Sequence, residues 1–179
     1  MSSNNVTLRE LHSAREVRER IDALANDLLN DYSGGSPLLV VIAEGARTFA
    51  QELVRRLAAR ELNPDVMFLR ASRTEGVNLV QVRVEPVDPS RFRAREVLVV
   101  DDIADEGRTL EAVLHVVRSG EPRNLRVAVL VSKHGQRKIN VPIDYVGFEL
   151  KDGWVVGVGM DLNDRFRNLD HLAIVEGPE

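Results

Sequence analysis

Apolar positions along this chain follow two rhythms that alternate from end to end. Leu38–Ile42, Val97–Val100 and Val127–Val131 are short unbroken apolar runs, the pattern of strands buried on both faces. Elsewhere the apolar residues recur three and four apart. Val17, Ile21, Leu24 and Leu28 make one face of a helix ending near Asn30, opened by a capping box of Ser13 and Glu16. A turn at Ser33, Gly34, Gly35 and Pro37 follows. Ala46, Phe49, Ala50, Leu53, Val54 and Leu57 predict a second helix, stopped at Asn63 and Pro64. Leu110, Val113, Leu114 and Val117 predict a third, closed by Gly120 and Pro122. Val66–Ala71 and Leu79–Val84 read as strands flanking a polar segment around Ser72–Gly76, a candidate mobile loop, and Pro86 and Pro89 end that unit. Tyr145–Leu150, Trp154–Met160 and Leu172–Val175 are the later strand candidates. Helices alternating with buried strands predict an α/β fold with a central, mainly parallel sheet covered on both faces. No linker or repeat divides residues 1–179, so one domain is expected.

Composition narrows the function. A net charge of −4 with no basic tract argues against a nucleic-acid partner. The absence of cysteine excludes disulfides and thiolate metal sites. His12, His115, His134 and His171 are scattered, without metal-ligand spacing. No apolar stretch reaches membrane-spanning length and the polar start does not read as a secretory signal. No membrane partner is expected, and a cytoplasmic location is.

The chemistry concentrates in Arg95–Leu110. There a buried strand runs into Asp101 and Asp102, followed by Asp105, Gly107 and Thr109 at the mouth of the third helix. Acids at the carboxyl end of such a strand sit where open α/β sheets bind ligands. Glycine permits close backbone approach, and the helix entrance offers N–H groups to an anion. An anion cradle beside paired carboxylates suits a phosphorylated sugar, although acids after a strand are commonly just a solvated strand end. A dinucleotide fingerprint is missing, because Leu162 stands where Gly157 and Gly159 call for a third glycine. Lys133 ends a buried strand and could donate to a base carbonyl. Trp154, the single tryptophan, could stack on a base or fill an interface.

The apolar strand, the two acids and Asp105-Glu106-Gly107-Arg108-Thr109 resemble the phosphoribosyl pyrophosphate (PRPP) loop of type I phosphoribosyltransferases. With Lys133, the Asp144–Leu150 run, Trp154–Asp161 and Asn163–Leu169, the chain is most similar to the hypoxanthine-guanine phosphoribosyltransferases, enzymes of purine salvage. The resemblance implies that family's fold, with a small hood and a mobile loop hairpin. It implies Mg²⁺-dependent transfer of phosphoribosyl from PRPP to hypoxanthine or guanine, and a homodimer or homotetramer. Asp105 would be the catalytic base. Asp101, Asp102, Asp105, Glu106, Gly107, Arg108 and Thr109 would hold the ribose and its 5-phosphate. Lys133, Trp154 and Val155 would hold the purine. Glu44, Gly45 and Arg167 would face pyrophosphate. Ser72 and Arg73 would belong to the mobile loop, whose closure would exclude water. Asp161, with Asp101 and Asp102, would hold the metal.

Three positions depart from the family pattern. Glu44 replaces a customary lysine beside Gly45, and an acid there is expected to repel pyrophosphate unless it points away or meets metal. Ser72-Arg73-Thr74-Glu75-Gly76 lacks the usual tyrosine, with Val77 and Leu79 in place of small polar residues. Glu106 fills a slot usually held by a small hydroxyl residue. These changes keep open an alternative, a catalytically degenerate relative that binds PRPP or a nucleotide in a regulatory or partner role.

Overall fold

The computed structural model describes residues 6–76 and 79–176. In chain order the elements are β1 (Thr7–His12), α1 (Ala14–Asp31), β2 (Leu38–Ala43), α2 (Arg47–Ala58), β3 (Asp65–Gly76) and β4 (Leu79–Val84). A 3-10 turn at Pro89–Phe92 leads to β5 (Glu96–Ala104), α3 (Arg108–Arg118), β6 (Asn124–Lys133), β7 (Tyr145–Leu150), β8 (Val155–Val156) and β9 (Leu172–Glu176).

Six strands form the main sheet in the order β4-β3-β2-β5-β6-β7. Every neighbouring pair is parallel except β3 with β4. The unbroken apolar runs are explained by what covers them. Leu39, Val41, Leu98, Val100, Ala128 and Leu130 join the core under α1 and α2. Their alternates Leu38, Val40, Val97, Val99, Val127 and Val129 join the core under α3. With period-2 side chains and a helix layer on each face, every position of such a strand is apolar. Each fully buried Val or Leu contributes about 1.5–3 kcal/mol. At the β7 edge, Arg20 donates to the carbonyls of Val146 and Gly147, satisfying groups that no further strand pairs.

The observed helices match the three predicted, and Ser13 and Glu16 do form a capping box. Two expectations change, and one strand appears that the sequence does not announce. Ser72–Gly76 is strand rather than loop: β3 leaves β2 after Arg70 and pairs with β4 from Ala71↔Val84 to Gly76↔Leu79. A two-stranded ribbon beyond the sheet carries no apolar run to announce it. Val77, at the predicted loop's tip, lies outside the described residues. The strand predicted over Trp154–Met160 shrinks to β8, because Gly157, Val158 and Gly159 have φ of 103°, 53° and 102°, values no strand contains. Finally β1, which lacks clean alternation, exists because β9 pairs with it antiparallel; with β8 they form a small three-stranded sheet, the hood.

Candidate active site

β2 has parallel partners on both sides, reached in opposite directions by the chain, so the carboxyl ends of β2 and β5 flank the switch point of the sheet. A cavity of about 370 Å³ opens there, within the range of small-molecule sites (~300–1,000 Å³). Glu44, Gly45, Arg73, Asp101, Asp102, Asp105, Thr109, Lys133, Trp154, Val155, Asp161 and Arg167 all line it. Of the residues expected at a site, only Ser72, Glu106, Gly107 and Arg108 are outside the lining.

β5 extends past the predicted Val100 to Ala104, which places Asp101 and Asp102 inside the strand rather than after it. Asp101 is buried. Its Oδ1 accepts from the Asp102 N–H at 3.0 Å, and Asp102 Oδ1 accepts from the Ile103 N–H at 2.9 Å. Burial pushes both carboxyls up, and the adjacent Asp102 charge lifts Asp101 further. Gly45 packs closely beside them: a Cβ there would come within 2.1 Å of Asp102 Oδ2, so the Asp102 carboxylate would have to shift.

The turn after β5 delivers the anion cradle. Gly107 has φ of 88°, and a Cβ on it would meet the Ile139 carbonyl at 2.4 Å, so both conformation and space select glycine. No side chain caps the start of α3, which leaves its first N–H groups for an anion. Thr109, the second residue of the helix, receives a hydrogen bond from Arg73 Nε at 3.3 Å.

Lys133, buried at the end of β6, donates to Asp105 Oδ2 at 2.9 Å. Asp105 Oδ1 is buried with no partner among the described residues. An unpaired buried acceptor costs about 1–3 kcal/mol, so it reads as a place kept for a donor on a ligand. Arg137, which no sequence signal marked, ties this corner together. It donates to the carbonyls of Asp105 (2.9 Å), Ala104 (3.1 Å) and Lys133 (2.9 Å), locking the ends of β5 and β6 to each other.

Across the cavity, Trp154 is 57% exposed, with its ring free to stack and its Nε1 donating to the Asp161 carbonyl at 2.9 Å. Asp161 Oδ1 meets Arg167 at 3.0 Å and its Oδ2 accepts from the Asp164 N–H at 2.7 Å. Arg167 also donates to the Gly159 carbonyl at 3.0 Å.

The two acids that break the family pattern each have cationic partners. Glu44 pairs with Arg47 at 3.1 Å and Arg70 at 3.4 Å. Glu106 pairs with Arg108 at 2.9 Å and with Lys138, and these contacts hold its carboxyl below the usual range. Arg47 could have been found as a helix neighbour at i+3; Arg70 could not. Among the described residues no three carboxylate or imidazole groups converge on one point.

The Phosphoribosyl transferase domain family matches residues 7–163 of the chain. Hypoxanthine phosphoribosyltransferase of Escherichia coli (strain K12) is 31% identical over 166 residues, spanning 89% of this chain and 90% of that protein. The bifunctional protein TilS/HprT of Listeria monocytogenes is 30% identical over 175 residues; the chain spans only 27% of its length. Among solved structures, the Trypanosoma cruzi hypoxanthine phosphoribosyl transferase superposes with a TM-score of 0.88 at 25% identity, covering 98% of this chain and 95% of that one.

Proposed function

Because the chain belongs to the phosphoribosyltransferase family and is built like its hypoxanthine and hypoxanthine-guanine members, we propose that it transfers a 5-phosphoribosyl group from PRPP to hypoxanthine or guanine, releasing pyrophosphate. The observation that carries this reading is the Asp105–Lys133 pair, with Asp105 Oδ1 left unpartnered in the same cavity as an uncapped helix entrance and paired aspartates.

In this reading the N–H groups around Glu106–Thr109 and the Thr109 hydroxyl hold the 5-phosphate. Asp101 and Asp102 accept from the ribose hydroxyls, and their charge stabilises positive charge developing at the ribosyl carbon. The purine packs on Trp154 beside Val155. Lys133, anchored by Asp105, uses its remaining donors on the 6-oxo group and so disfavours a 6-amino purine. Asp105 Oδ1 takes the proton from the purine ring nitrogen as the new bond forms. Gly45 and Arg167 face pyrophosphate, beside a Glu44 already balanced by Arg47 and Arg70.

Asp101 and Asp102 fit a divalent cation. They are adjacent, burial raises both, and neither has a cation within ion-pair distance among the described residues. Mg²⁺ is commonly held by one or two carboxylates with the rest of its shell from substrate oxygens and water. Bound there, it supplies charge neutralisation for the pyrophosphate. Asp161, with both oxygens engaged, would reach it through water.

The pairing of Glu44 and Glu106 with arginine and lysine supports turnover over a relative that only binds. The exposed Val66 and Phe68 of β3 support assembly into a dimer or tetramer. Among the described residues no helix is long and apolar enough to cross a membrane; a cytoplasmic location belongs to the same reading. The test is direct. With PRPP and Mg²⁺, hypoxanthine or guanine should yield the nucleoside monophosphate on chromatography. Product from adenine and neither oxopurine would remove the role given to Lys133. Ligand-induced thermal stabilisation without product from any purine would favour the binding-only relative.

A further inference from the structure

The cations lining the cavity are matched to acids with one exception among the described residues. Lys133 lies 2.9 Å from Asp105 Oδ2, and Arg167 lies 3.0 Å from Asp161 Oδ1. Glu44, the remaining lining acid on that rim, is satisfied from outside by Arg47 and Arg70. Arg73 has no described acid within ion-pair distance. It reaches from β3 into the cavity, and its polar contact there among the described residues is a single bond from Nε to the Thr109 hydroxyl at 3.3 Å. That distance is long for an N–H···O bond, whose usual range is about 2.7–3.2 Å, and the acceptor is neutral.

A guanidinium in that position is poorly satisfied by what surrounds it and well suited to something else. Its planar fork matches a phosphate, and charge-assisted bonds to phosphate are shorter and roughly twice as strong as neutral ones. Thr109 belongs to the cradle assigned above to the 5-phosphate, so Arg73 stands over that group rather than over the pyrophosphate end near Glu44 and Arg167. The ribbon that carries it pairs with β4 and not with β2 at this level.

We propose that Arg73 is a ligand of the 5-phosphate: the β3–β4 ribbon presents a guanidinium that holds the phosphate against the start of α3, so that this chain selects phosphorylated over unphosphorylated ribosides through the ribbon as well as through the cradle. The inference deepens the proposed function and rests on it. It also gives a use to the arginine that stands in the ribbon where the family pattern has tyrosine.

Trp154 is the single tryptophan and lines the same cavity, so its fluorescence reports binding in variants that keep it. GMP, guanosine and pyrophosphate would each be titrated into the unmodified protein, Arg73→Gln and Arg73→Lys, with calorimetry as a second measure. Removing a hydrogen bond to a charged group should weaken GMP by about 10–100-fold in Arg73→Gln. Guanosine affinity should stay within about 2-fold, which also shows that the variant is folded, and pyrophosphate should change by no more than that. Arg73→Lys should recover part of the loss, since it restores charge without the fork. Unchanged GMP affinity in Arg73→Gln overturns the proposal. So does an equal or larger loss for pyrophosphate, which would move Arg73 to the other end of the site. If neither GMP nor guanosine binds the unmodified protein by either method, the functional reading of the cavity fails, and this inference with it.

Discussion

Residues 101–109 and residues 154–167 face each other across one cavity, yet they take their shapes from different sources. The first stretch is held by the sheet. β5 lies between β2 and β6, and its backbone is fixed on both sides before its acids emerge. The second has almost no sheet to hold it. β8 has two residues, after which positive φ at Gly157, Val158, Gly159, Asn163, Asp164 and Phe166 coils the chain. The Val158 and Gly159 N–H groups bond the Leu169 and Arg167 carbonyls, and Val155, Val158 and Met160 join the core. Side chains add Trp154 to the Asp161 carbonyl, Arg167 to the Gly159 carbonyl and Asp161 to the Asp164 N–H. The Asp101–Thr109 rim is thus shaped by the sheet, whereas the Trp154–Arg167 rim is shaped by turn bonds within the coil, a buried inner edge and a few side-chain bonds.

That contrast can be broken first on the rigid side. Asp105→Asn keeps the size of the side chain and removes its basic carboxylate, so kcat should fall by about 10²–10⁴-fold while the KM for PRPP stays close to its original value. Steady-state kinetics with hypoxanthine and guanine check this, and a change confined to KM would remove Asp105 from proton transfer. On the other rim, Arg167→Ala withdraws several of the coil's bonds at once. The KM for PRPP should rise by about 10–100-fold; an unchanged value would mean the coil holds itself. Trp154→Phe is a finer cut, keeping an aromatic face while losing the N–H to the Asp161 carbonyl and part of the ring area. The KM for the purine should rise about 2–10-fold, with that for PRPP unaltered.

The smallest expected effect sharpens the account of the rigid rim. Burial and the neighbouring Asp102 raise the Asp101 carboxyl, so the unfolded chain gives up this proton more readily than the folded one. Stability from that difference is full below the unfolded value of about 3.9 and is lost as pH rises through the higher folded value. Asp101→Asn has no proton to lose. Melted in chelator, the variant should exceed the parent at pH 8, by about 2–4 °C for each kcal/mol involved. The gap should close toward pH 4. A variant that melts lower at pH 8 would show that the ionised carboxylate is not a burden on the fold.

Much of the rigid rim is legible in the sequence because its parts are neighbours in the chain. The shortness and β-branched content of Val97–Val100 mark it as a strand covered on both faces, and Asp101–Thr109 then follows as strand, turn and helix within local reach. The helices were equally readable, since their spacing and the Ser13–Glu16 box are local signals. The Ser72–Gly76 strand was not, because a ribbon paired outside the core needs no apolar alternation. Nor was the hood. Leu8 and Leu11 in β1 become strand residues only when β9 lies beside them.

The charges divide in the same way. From the residues alone, Glu44 looks hostile to pyrophosphate, Glu106 departs from the family pattern, and nothing marks Arg137. Tertiary structure brings Arg70 to Glu44 and Lys138 to Glu106, and it sets Arg137 on three carbonyls at the ends of β5 and β6. By itself, then, the sequence determined the layered α/β core and the strand–turn–helix order of the Asp101–Thr109 segment. Those rest on periodicity and on contacts within a few residues. Which charges are neutralised, which acceptor is left waiting, and how the hood closes over the site were decided only by folding, because an ion pair's worth depends on partners that chain order does not reveal.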